Sequence, residues 1–76
     1  KLIKGRVSMK VVFTLVGKYD ITTYKIFKLE EVTLIEKEVS KLKNEGKTFY
    51  VSLYTYDGKC KDYVFFERGV MKIWFV

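Results

Sequence analysis

Apolar and polar residues alternate from Arg6 to Val16. Val7, Met9, Val11, Phe13 and Leu15 share one face, and Arg6, Ser8, Lys10, Val12 and Thr14 the other. Period two over this length predicts a half-buried strand. Gly17-Lys18 reads as a two-residue turn with glycine first. A second strand follows over 19–27, rich in Thr, Tyr and Ile. Counting outward from that turn sets Val11 opposite Tyr24 and Met9 opposite Ile26.

From Leu29 the period lengthens. Val32, Ile35, Val39 and Leu42 recur at helical spacing, with Glu36, Lys37, Ser40, Lys41 and Lys43 between them. Glu30 and Glu31 fall in the first turn and Lys41 and Lys43 in the last, the order that the helix dipole favours. Leu34 lies off the apolar stripe, and Gly46 suits a left-handed C-terminal cap.

Alternation returns over 48–56, Asp57-Gly58 gives a hairpin signal, and 60–67 is the return strand. Arg68-Gly69 reads as another short turn, with a last strand over 70–76. The predicted fold class is α+β: a small, mostly antiparallel sheet of about five strands with one helix on one face, in the order β-β-α-β-β-β. One domain spans 1–76, with 1–5 read as a disordered or processing-derived tail.

If both C-terminal turns hold two residues, Phe49 faces Phe66, Val51 faces Val64 and Leu53 faces Asp62. Phe66 then faces Met71, Val64 faces Ile73 and Asp62 faces Phe75. One face is almost wholly apolar and belongs to the helix side. The opposite face gathers Tyr50, Tyr54, Tyr56, Tyr63, Phe65 and Trp74, with Ser52, Lys59, Lys61 and Lys72 among them. The first hairpin adds Arg6, Lys10, Lys25 and Phe27. A solvent face usually reads polar; this one reads aromatic and basic.

Composition narrows the chemistry. The 76 residues include no histidine and one cysteine, Cys60. The commonest general base and metal ligand is therefore missing, and no internal disulfide can form. Cys60 reads as a small apolar filler. The carboxylates Glu30, Glu31, Glu36 and Glu38 read as a solvated helix face. The glycines are isolated, so no phosphate loop is present. These residues predict no enzyme, no cofactor and no metal. No apolar run spans a membrane and no signal peptide is visible, so the expected setting is cytoplasmic, or the host cytoplasm for a viral chain. Abundant Lys and Glu with few amides fits a hyperthermophile, and the absence of Ala fits an AT-rich genome or a viral gene, so a small archaeal or viral protein is expected.

The net charge of +6 attracts polyanions. The leading expectation is a small basic binding module for single-stranded nucleic acid. Tyr50, Tyr54, Tyr63, Phe65 and Trp74 would stack on bases, and Lys10, Lys25, Lys61 and Lys72 would meet phosphates. The alternative is a homodimer, or an adaptor or inhibitor-type protein-interaction domain, using the same face. In a third reading, cross-strand aromatic pairs simply stiffen the sheet.

Overall fold

The computed structural model describes residues 9–68 and 70–74, with the backbone alone at 71–74. Its elements are β1 (Lys10–Val16), β2 (Ile21–Lys28), α1 (Val32–Asn44), β3 (Phe49–Tyr54), β4 (Cys60–Glu67) and β5 (Val70–Trp74). Strands β2, β1, β3 and β4 lie side by side in that order, each antiparallel to its neighbour, and β5 runs antiparallel along β4. The α+β class, with one helix and an antiparallel sheet, is the one the sequence predicts. β1 separates β2 from β3, which run parallel to each other, and α1 supplies the long crossover such a pair requires.

The first hairpin departs from expectation. Its connection is Gly17–Asp20, closed by the Gly17 N–H donating to the Asp20 carbonyl at 2.7 Å. Val11 pairs with Phe27, Val12 with Ile26 and Phe13 with Lys25, so the counted pairs Val11–Tyr24 and Met9–Ile26 do not form. The register then shifts between Phe13 and Thr14, leaving Tyr24 as the extra residue of a bulge. The physical reason is Phe27. The observed register packs its ring edge-on against Phe13, centroids 5.6 Å apart, and burying a Phe outweighs a turn preference.

The second hairpin, β3–β4, reaches the counted register by another route. Its loop has three residues, Tyr56-Asp57-Gly58: the Gly58 N–H donates to the Thr55 carbonyl at 3.0 Å, the Thr55 N–H donates to the Lys59 carbonyl at 2.9 Å, and Gly58 has φ +85°. Alone, this would slip β4 by one residue and turn its side chains over. A bulge at Lys61 removes the slip, because Tyr54 pairs with Cys60 and Leu53 with Asp62. Phe49–Phe66, Val51–Val64, Phe66–Met71 and Val64–Ile73 then pair as counted. Phe75, the counted partner of Asp62, lies outside the described residues, as do Arg6 and the segment 1–5.

The helix begins at Val32, so Glu30 and Glu31 precede its first turn. Glu31 closes the entry instead: its carboxylate accepts the Lys28 N–H at 2.8 Å, and its own N–H donates to the Lys28 carbonyl at 3.0 Å. At the other end Gly46 has φ +68°, its N–H donates to Lys43 and the Lys47 N–H donates to Leu42. These two bonds form a Schellman cap and satisfy two otherwise orphaned carbonyls.

The core is a row of phenylalanines crossing four strands. Phe27, Phe13, Phe49 and Phe66 follow one another, with Phe49 and Phe66 stacked at 4.5 Å and Phe13 and Phe49 at 6.2 Å. Phe13 and Phe49 are fully buried, and Leu42 of α1 closes over them beside Val11. Among the described residues, no helix is long and apolar enough to cross a membrane.

Candidate functional site

The face turned away from α1 carries the tyrosines. Tyr50 and Tyr54 alternate with Ser52 on β3, and Tyr63 and Phe65 stand beside them on β4. Tyr50 meets Tyr63 edge-on at 5.9 Å and lies tilted against Phe65 at 5.4 Å. All four rings are half-buried, and Tyr50, Tyr63 and Phe65 brace one another. Between them is an open groove of about 350 Å3, lined by Thr14, Tyr50, Ser52, Tyr54, Cys60 and Tyr63. Cys60 therefore sits in the groove wall, half-buried and outside any disulfide. Tyr56 is in the hairpin loop, 70% exposed, and not on the sheet.

The cations divide between the two faces. Lys10 stays on the tyrosine face, opposite Tyr54 on one side and Lys28 on the other. Neither Lys10 nor Lys28 has a carboxylate partner among the described residues. Two like charges directly opposite repel each other, and an anion between them would relieve the repulsion. Lys61 is exposed at the β4 bulge and Lys59 in the turn. Trp74 takes the register position opposite Tyr63, and Lys72 the one opposite Phe65.

Lys25 is a correction. The sequence count sets it on the tyrosine face, but its ammonium reaches the helix side and pairs with Glu38 at 3.0 Å. Phe27 likewise belongs to the core side. Lys28, missed by the sequence count, takes the place assigned to Lys25. The signal was Phe27: once its ring claims the core, the next residue must point the other way.

Glu38 is a second correction, since it is 7% exposed and not on a solvated helix face. The β2 bulge brings both Tyr24 and Lys25 to α1. Lys25 lies over the Tyr24 ring at 5.2 Å, and Lys41 donates to the Tyr24 hydroxyl at 3.2 Å while lying 3.8 Å from Glu38 Oε2. Burial pushes the Glu38 carboxyl up, but the Lys25 hydrogen bond, the Tyr24 hydroxyl and the two ammonium charges together hold it below its ordinary value. The Glu38 hydrogen bond raises Lys25 above the usual lysine range, and the Tyr24 hydroxyl raises Lys41. This network ties sheet to helix and leaves Lys10 and Lys28 as the cations beside the groove.

Among the described residues, no three Cys, Asp or Glu side chains gather as metal ligands. The chemistry on offer is stacking, hydroxyl hydrogen bonding and phosphate attraction. Comparison of the chain with protein-family models, with curated proteins and with solved structures finds no match.

Proposed function

We propose that this chain is a non-enzymatic binding module that holds single-stranded nucleic acid across its tyrosine face, in a cytoplasmic setting. The observation that carries this reading is the Lys10–Lys28 pair beside Tyr54: two neighbouring cations without carboxylate partners among the described residues, at the margin of an aromatic groove. Stacking of a base on an exposed ring contributes ~1–3 kcal/mol, and surrounding lysines neutralise phosphates. β5 would widen the same platform as a fifth strand, bringing Lys72 and Trp74 to it.

Fluorescence anisotropy with labelled single-stranded oligonucleotides at two salt concentrations tests the reading. Binding that weakens steeply with salt supports it. No binding even at low salt removes it.

One observation favours the second reading, a homodimer or protein adaptor through the same face. Ile26 pairs with Val12 on that face and is 56% exposed. Face-to-face packing of two sheets would cover it. Light scattering across concentrations decides: a strict monomer argues against the homodimer.

A further inference from the structure

The groove on the tyrosine face holds a side chain that the fold itself does not use. Ser52 is 9% exposed, yet its hydroxyl has no hydrogen-bond partner among the described residues. Register sets it between Val12 and Tyr63, in the wall of the groove. The hydroxyl oxygen opens into the groove and is not sealed from solvent, unlike Glu38 Oε2, which is wholly buried without a hydrogen-bond partner among the described residues; Ser52 therefore presents a free donor and acceptor to an occupant. Thr14 supplies a second hydroxyl to the same wall.

The lining specifies the occupant. Tyr50, Tyr54 and Tyr63 offer flat rings, and among the described residues no charged side chain lines the groove. Its volume of about 350 Å3 is at the small end for ligand sites. A planar, neutral heterocycle with a polar edge suits such walls, whereas a phosphate does not. The nearest cation stands at one end: Lys10 is opposite Tyr54 at the groove margin and four residues along β1 from Thr14, roughly 13 Å at strand rise.

We propose that this groove is a single-base subsite, in which one unstacked base inserts among Tyr50, Tyr54 and Tyr63 and hydrogen-bonds to the Ser52 hydroxyl. The inference rests on the nucleic-acid reading above and adds base selection to it. The lysines hold phosphates of neighbouring nucleotides and are indifferent to sequence. A hydroxyl both donates and accepts, so Ser52 serves the base whose edge best meets it in that frame.

The test compares affinities for labelled single-stranded octamers of U, C and A. Wild type is expected to rank the three. Ser52→Ala should weaken the best of them by about tenfold and flatten the ranking, whereas Ser52→Thr keeps it. Lys10→Ala should weaken all three alike. Because the hydroxyl has no protein partner, Ser52→Ala should melt no lower than wild type; a drop of several degrees would assign the hydroxyl to the fold and overturn the subsite. Equal binding of the three octamers by wild type, or an unchanged ranking in Ser52→Ala, overturns the subsite and leaves the nucleic-acid reading standing. If wild type binds none of them at low salt, the parent reading fails and the subsite with it.

Discussion

The Lys25 ammonium lies 3.0 Å from a Glu38 carboxylate oxygen, joining the edge strand β2 to the helix that covers the opposite side of the core. The contact exists because a bulge turns two successive residues, Tyr24 and Lys25, toward α1. It removes Lys25 from the tyrosine face and gives Glu38 a partner in an otherwise apolar layer, where an unpaired carboxylate is costly.

The pair predicts a pH profile. The folded Glu38 titrates below its ordinary 4.5, so its contribution is complete above about that pH and is lost as pH falls through the folded value. Lys25 and Lys41 titrate above 10.5 when folded. Their contribution is complete below 10.5 and is lost as pH rises through the folded values. Urea melts from pH 3 to 7 should show Glu38→Gln less stable than wild type at neutral pH, with the gap closing in acid. A gap that stays constant with pH would mean the charge is not its origin.

Phe49 is fully buried and touches rings on both neighbouring strands. Phe49→Ala should cost ~3–5 kcal/mol, a large share of the stability of a domain this small. Phe49→Leu should remain folded. Chemical denaturation followed by circular dichroism measures both, and a loss under 1 kcal/mol for the alanine variant would contradict the phenylalanine row.

Gly46 and Gly58 have positive φ with open space where a Cβ would stand, so the penalty for a side chain there is conformational and not steric. Each Gly→Ala change should cost ~1–2 kcal/mol. At Gly17, φ is not in that region, and an added Cβ would meet the end of the Asp20 side chain at 2.5 Å and the Asp20 carbonyl oxygen at 3.4 Å, an ordinary van der Waals distance. Gly17→Ala should therefore be the mildest of the three in thermal melts, provided Asp20 can swing aside.

Lys25 and Lys28 separate sequence from structure in a binding assay. Lys28→Ala should weaken oligonucleotide binding and lower the slope of log affinity against log salt by about one. Lys25→Ala should leave that slope unchanged and lower stability instead. The reverse result would restore the sequence-counted register.

Tyr63→Ala should reduce oligonucleotide affinity by about 5- to 150-fold, the equivalent of ~1–3 kcal/mol for one stacked base. Isothermal titration provides the measurement. An unchanged affinity would make the tyrosine cluster a brace for the sheet.

The sequence by itself determined the elements and the faces of the C-terminal strands. Alternation with period two in β3 and β4 sorted Phe49, Val51, Val64 and Phe66 from Tyr50, Tyr63 and Phe65, because only one partition gives a continuous apolar layer. That constraint was strong enough to hold although the turn has three residues and not two. The helix was legible from its 3.6-residue period and its glycine cap. Tertiary structure alone decided what β2 does. Its residues are mostly exposed, so its pattern sets no register, and the burial of Phe27 against Phe13 fixes it instead. From that one contact follow the bulge at Tyr24, the pairing of Lys25 with Glu38 and the arrival of Lys28 beside Lys10. The placement of β1 between β2 and β3 was equally beyond the sequence, since strand order depends on contacts between segments far apart in the chain.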